Sequence, residues 1–167
     1  MMARAHPMLG VRPFLAADAP LLAEIFRASI EELTAEDYSE AQQEAWAAAA
    51  EDEDAFAARL ADRLTLVATM EGSPVGFVAL QGPEHLDMLY VHPAAAGQGV
   101  GTQLCDAVEK IAAGRGTARL TVEASDTARD FFARRGYVPQ QRNTVSCRGE
   151  WLASTTMAKS LAKGERS

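Results

Sequence analysis

The sequence predicts a single α/β domain with a mixed, mostly antiparallel, twisted sheet flanked by helices on both faces. Three observations carry that expectation. The first third of the chain spaces its apolar residues three and four apart, as helices do. From residue 64 onward, short apolar runs separated by turn residues read as strands. Helical stretches interrupt those runs, so crossovers must join some strands while hairpins join others. At 167 residues, one domain with a sizeable core is expected, the last residues (161–167, ending KGERS) forming a flexible tail.

Taken in order, MLGVR (8–12) reads as a short first strand. Asp18 stands as a helix N-cap with Pro20 in the first turn, where its missing N–H costs little. Leu22, Ile25, Phe26 and Ile30 carry that helix to about Leu33. Ser39 opens SEAQQEAWAAAA, a second helix bearing Trp46, and EDEDAFAARLAD forms a third with carboxylates where the helix dipole favours them. LTLVATM and PVGFVAL are strands joined by the four-residue turn EGSP, and HLDMLYVH (85–92) is another, ending at Pro93. Leu104, Val108 and Ile111 define a helix closed by Gly114 and Gly116. ARLTVEA is a strand, DTARDFFARRG a helix, and YVPQQRNTVSCRG with EWLASTTMAKSL a closing antiparallel pair.

The totals exclude several classes. A net charge of −7 argues against a nucleic-acid partner, which needs a basic surface to displace phosphate counterions. No apolar run approaches the ~20 residues of a membrane span, and the opening MMARAHPMLG is too polar for a secretory signal. A cytoplasmic protein with no membrane partner is expected. Cys105 and Cys147, on a helix and a strand pattern, are expected as packing thiols. Three histidines without ligand spacing predict no metal.

The stretch YVHPAAAGQGVGTQL (90–104) places Gly97, Gly99 and Gly101 between a strand and a helix start. Glycines allow the positive φ of an anion nest, and the first helical turn offers N–H groups without partners. Glycine count alone equally fits a ligand-free turn. A P-loop would need Gly-Lys before Ser or Thr, whereas Thr102 follows Gly101 directly. The Rossmann spacing G-x-G-x-x-G is likewise absent, which disfavours a nucleotide-binding module.

Val91-His92-Pro93 followed by Gly97-Gln98-Gly99-Val100-Gly101-Thr102 resembles the GCN5-related N-acetyltransferase superfamily, whose loop has the form Arg/Gln-x-x-Gly-x-Gly/Ala after a Val-x-Pro strand end. SDTARDFFARRGYV is similar to the superfamily's later helix at Ser125, Ala128, Phe131, Phe132, Gly136 and Tyr137, and RGEWLASTTMAK resembles the ending of one bacterial branch. The resemblance implies the GNAT fold and acetyl-CoA as co-substrate. Its pyrophosphate would lie on Ala96, Gly97, Gln98, Gly99, Val100, Gly101 and Thr102, and its pantetheine along Leu89, Tyr90 and Val91. Ser125, Ala128, Phe131 and Phe132 complete the implied cofactor set.

Two positions depart from the superfamily pattern. Ala96 replaces the usual Arg or Gln, leaving phosphate binding to backbone N–H groups and the Gln98 amide. Phe132 replaces a Tyr often proposed as the acid that protonates the departing thiolate; both phenylalanines also read as packing residues. A thiolate leaves readily, its thiol having a pKa of about 8.5, so transfer does not demand that acid.

Acetyl transfer requires an amine stripped of its proton, hence a base near the cleft. EHLDMLYVH offers His85, which aligns without gaps to a catalytic Glu of a histone acetyltransferase branch, and Asp87 two residues on. Strand alternation puts these two on one face and Tyr90 and His92 on the other. They also read as polar residues at a solvated strand start. Glu123 is a further candidate, or the partner of an Arg. Tyr38, Trp46, Cys147 and Trp151 are expected around the acceptor, a small-molecule or peptide amine. The expectation is direct transfer by a monomeric or homodimeric enzyme; the alternative is a non-catalytic acyl-CoA sensor, suggested by Ala96 and Phe132.

Overall fold

The computed structural model describes residues 9–161; Met8 and the expected tail beyond Leu161 lie outside them. Seven strands form one sheet: β1 (Leu9–Pro13), β2 (Leu64–Met70), β3 (Ser73–Gln81), β4 (His85–Val91), β5 (Arg119–Ser125), β6 (Val138–Cys147) and β7 (Glu150–Ser160). Their order is β1-β2-β3-β4-β5-β7-β6, and only β4 and β5 run parallel. The helices are α1 (Ala19–Leu33), α2 (Glu40–Ala47), α3 (Glu53–Ala61), α4 (Val100–Gly114) and α5 (Arg129–Arg134). The sequence-predicted architecture is therefore observed, with helices on both faces.

Local signals explain most boundaries. Ser39 caps α2 through a reciprocal box: its hydroxyl accepts from the Gln42 N–H at 3.1 Å, and the Gln42 side chain accepts from the Ser39 N–H at 2.8 Å. Asp52 caps α3 by accepting from the Ala55 N–H. Asp18 does precede α1, but its carboxylate does not cap it; it accepts a paired bond from Arg12 at 2.8 and 2.9 Å and one from the Leu15 N–H. The Arg12 guanidinium holds the Asp18 carboxyl below its usual range. The β2–β3 turn is shorter than EGSP. Glu71 and Gly72 both take positive φ, the two-residue geometry that suits twisted strands. The predicted helix over 126–136 shrinks to the six residues of α5, because the Ser125 hydroxyl accepts from the Ala128 N–H and delays its start.

Two apolar layers sandwich the sheet. On one face, α4 lays Leu104, Cys105, Val108 and Ala112 over Leu66, Val78, Leu80, Leu86 and Val122. On the other, α1 and α3 bring Leu22, Phe26, Phe56 and Leu60 onto Val67, Phe77, Ala79 and Met88. Each such fully buried side chain stabilises the fold by roughly 1.5–3 kcal/mol. Gly76 on β3 lets α4 sit close, since a Cβ there would lie 3.0 Å from both the Tyr90 carbonyl oxygen and Val100 Cγ1. Both cysteines are unbridged. Burial pushes the Cys105 thiol up to about 12, so it packs as a hydrophobe, and the Cys147 thiol meets the Ala45 carbonyl at 3.3 Å.

One buried polar cluster ties α4 to the far half of the sheet. Glu109 accepts from Arg135 at 2.9 Å, from Lys159 at 2.8 Å and from the Tyr137 hydroxyl at 2.9 Å. Burial, reinforced by the Glu109 charge, pushes the Tyr137 phenol well above its ordinary range and keeps it a donor. Glu109→Ala strands Lys159 and leaves Arg135 with Asp106 alone, and is expected to cost about 3 kcal/mol of stability, read by urea unfolding.

Candidate functional site

The site originates in a short parallel pairing. β4 and β5 pair only at His85–Thr121 and Leu86–Val122. On the other side of β4, Leu80 pairs Leu86 and Ala79 pairs Met88, leaving Asp87 as an extra, bulged residue. Leu86 consequently joins the α4-side core and Met88 the opposite one, although two residues apart. Strict alternation therefore does not hold across β4. Asp87 turns toward α3, where Arg59 on that helix and Arg63 just beyond its end reach one carboxylate oxygen at 3.2 and 3.0 Å. Tyr90 lies on that same face, packed against Phe26 and Phe77.

Beyond the bulge the strands diverge around a cleft of about 510 Å³. Met88–Val91 form one wall and Val122–Ser125 the other, with Ser29, Thr34 and Trp46 above and the glycine loop at one end. In that loop, His92 Nδ1 accepts from the Ala94 N–H and a single turn follows over Pro93–Ala95. Gly97 and Gly99 then take φ of 78° and 84°, which side-chain-bearing residues rarely adopt. Gly99 is the N-cap of α4, and no side chain caps that helix. The first-turn N–H groups of Val100, Gly101 and Thr102 thus lack intrahelical acceptors and open toward the cleft. Such a row of donors at the positive end of a 15-residue helix fits a diphosphate.

Of the residues expected around the cofactor, Leu89, Tyr90, Val91, Ala96, Gly97, Gly99, Val100, Gly101, Thr102, Ser125, Ala128, Phe131 and Phe132 all line this cleft. Gln98 does not: its amide turns back to the Ala94 carbonyl at 3.4 Å, leaving the cradle without a side-chain amide. Phe132 is buried edge-to-face between Phe131 and Tyr137 and presents no proton.

The expected catalytic pair separates. Asp87 lines the cleft with its charge already matched by two arginines. His85 stands beside the apex rather than in the cleft wall, with Nδ1 3.0 Å from the Thr121 hydroxyl. Of the four residues expected around the acceptor, only Trp46 lines the cleft, where its Nε1–H donates to the Tyr90 hydroxyl at 3.1 Å. Burial pushes that phenol up to about 12. Tyr38 is buried outside the cleft, donating to the Ala153 carbonyl and accepting from the Asp126 N–H. Cys147 and the exposed Trp151 lie on the β6–β7 hairpin, which α2 contacts through Ala45 and Gln42. The other three lie along the seam between the α1–α2 segment, α2 and the β6–β7 hairpin, not in the pocket.

Glu123 is the acidic group that sequence reasoning placed only in part. It lines the cleft and pairs with no arginine among the described residues; its carboxylate accepts from Asn143 at 2.7 Å, Ser154 at 2.5 Å and Thr156 at 2.7 Å. Burial acts to raise its pKa, but those three donors outweigh it and hold the carboxyl below the ordinary value. The nearby His85 acts in the same direction.

A glycine cradle at the mouth of a β4–β5 splay defines the class, and the chain belongs to the acetyltransferase (GNAT) domain family, which it matches over residues 34–161. It is an acyltransferase. A crystal structure of a GCN5-related N-acetyltransferase from Rhodopseudomonas palustris is 62% identical, covers 96% of this chain and 99% of its own, and superposes with a TM-score of 0.89. The uncharacterized N-acetyltransferase YafP of Escherichia coli K12 is 32% identical over 147 residues, 88% of this chain and 93% of its own. The PaiA N-acetyltransferase of Thermoplasma acidophilum, in complex with coenzyme A, shares the fold: 21% identity, a TM-score of 0.76, and coverage of 92% of this chain and 99% of its own.

Because the folded Glu123 carboxyl titrates below its unfolded counterpart, its stabilising contribution is present above the unfolded pKa and disappears as pH falls through the folded one. The melting-temperature difference between wild type and Glu123→Gln is expected to shrink as pH is lowered from about 6 to below about 3.

Proposed function

We propose that this protein transfers the acetyl group of acetyl-CoA directly to a primary amine, with both substrates bound at once. The observation that carries this reading is the cleft itself, with backbone donors for a diphosphate at one end and on its wall Glu123, a carboxylate that pairs with no Lys or Arg among the described residues. The loop residues from Gly97 to Thr102 hold the pyrophosphate through N–H groups. The unpaired edge of β4 at Leu89 and Val91 offers backbone partners to the pantetheine amides. When bound, the cofactor supplies the activated thioester.

Glu123 draws an ammonium toward the apex, which favours a cationic acceptor. Its depressed pKa suits it to binding charge and makes it a weak base. His85 is the base in this reading. Thr121, whose hydroxyl reaches the Glu84 carbonyl at 3.4 Å, accepts from His85 Nδ1–H, and Nε2 keeps its lone pair for the amine proton. Phe132 provides no acid, so the thiolate departs unprotonated or takes a proton from water. The acceptor is a small amine or a peptide amine, and the setting is the cytoplasm; among the described residues no helix is long and apolar enough to cross a membrane.

Thiol release from acetyl-CoA across a panel of primary amines tests the reading. Turnover with at least one cationic amine is expected. No CoA binding near millimolar concentration overturns the cofactor assignment, and CoA protection against heat with no turnover on any amine favours a sensor. With a confirmed amine, His85→Ala is expected to lower kcat about a hundredfold and flatten the acidic limb of the pH profile. An unchanged rate and profile removes His85 from the mechanism.

A further inference from the structure

The glycine loop poses an electrostatic problem that the loop itself does not solve. Coenzyme A carries a diphosphate and a third phosphate, while the protein carries a net charge of −7. Ala96 has no polar group, and the Gln98 amide is turned back onto the Ala94 carbonyl. Helix dipole and N–H groups contribute only partial charges. A full positive charge would offset the field of the surrounding carboxylates, and residues 96–102 contain none.

Among the described residues that line the cleft, Arg134 is the one Lys or Arg. It is the last residue of α5, whose Phe131 packs 3.3 Å from where a Cβ of Gly101 would lie, so α5 rests against the first turn of α4. Arg134 also lines a second hollow, between α4 and α5, together with Thr102, Asp106 and Lys159. It stands where the two spaces meet. The neighbouring cations are already matched: Arg135 pairs with Asp106 and Glu109, and Lys159 with Glu109. No hydrogen bond or ion pair engages Arg134 among the described residues, and it is exposed.

Resting on the cofactor reading above, we propose that Arg134 is the cation that binds a phosphate of the nucleotide end of coenzyme A. It takes over the charge that Ala96 lacks, from a different element of the fold. A guanidinium suits the task because its planar donors match phosphate oxygens in pairs. Thr102 and Arg134 then flank the passage from the cleft to the α4–α5 hollow, and the nucleotide end leaves the cleft by that passage.

Calorimetry on the full chain with CoA, dephospho-CoA and pantetheine tests this, using wild type, Arg134→Ala and Arg134→Lys. Arg134→Ala is expected to weaken CoA binding about tenfold, with partial recovery in Arg134→Lys and a shallower salt dependence than wild type. Pantetheine, which has no phosphate, is expected to bind wild type and Arg134→Ala alike. An equal loss for dephospho-CoA assigns the contact to the diphosphate; no loss for dephospho-CoA assigns it to the 3′-phosphate. Unchanged CoA affinity in Arg134→Ala, or an equal loss for pantetheine, overturns the proposal. Circular dichroism melts of each variant separate a binding loss from unfolding. A wild type that binds no CoA overturns the cofactor reading, and this assignment with it, and is distinguishable from wild-type binding that Arg134→Ala leaves intact.

Discussion

The site depends on a carboxylate that no strand pairing wants. Asp87 is the extra residue of β4, and its charge is held against α3 by Arg59 and Arg63. A largely buried carboxylate is tolerated only with such partners. At this anchored bulge the facing of β4 changes: Met88 and Tyr90 face α1, and the strand parts from β5 after two paired positions. The cleft is the space left by that parting. One unpaired anionic residue and the two guanidiniums that hold it thus mark the point where a binding site opens in an otherwise continuous sheet.

The glycine loop works by a complementary economy of side chains. Gly97 and Gly99 are required by their left-handed backbone, with φ of 78° and 84°, and not by crowding, for a Cβ at either would meet nothing within 4 Å. Gly101 differs: there the constraint is the nearby Phe131 ring, so it couples the α4 start to α5. Three glycines that look equivalent in the sequence therefore answer to two separate physical demands. The first pair shapes the nest; the third sets the spacing between the two helices that border it.

What the sequence made legible was local. The Ser39–Gln42 capping box, the hairpin signals and the Pro93-to-Gly101 run each act within a few residues, and the structure bears out the elements they define. The bulge at Asp87 has no local signature: the arginines that hold its carboxylate stand 28 and 24 positions away in the chain. For the same reason alternation misplaced Tyr90 relative to Asp87. Glu123 looked like half of an ion pair, but its donors come from β6 and β7, at least 20 positions away. Tyr38 and Cys147 looked like pocket residues because aromatic and thiol groups often are. Burial and their backbone partners instead make them fasteners.

Tyr38 has a consequence for how the molecule can change. The two halves of the sheet meet in strand pairing only at the β4–β5 apex, while the segment between α1 and α2 spans the gap and ends in one phenol bound to both Asp126 and Ala153. That phenol is the buried tie across the gap, joined by Asp37, which accepts from the Thr127 hydroxyl, and by Gln42 and Ala45, which meet the β6–β7 hairpin. A chain reshaped for a bulkier acceptor therefore cannot widen the opening by changing the cleft wall alone; it must also release this hydroxyl and the ties beside it.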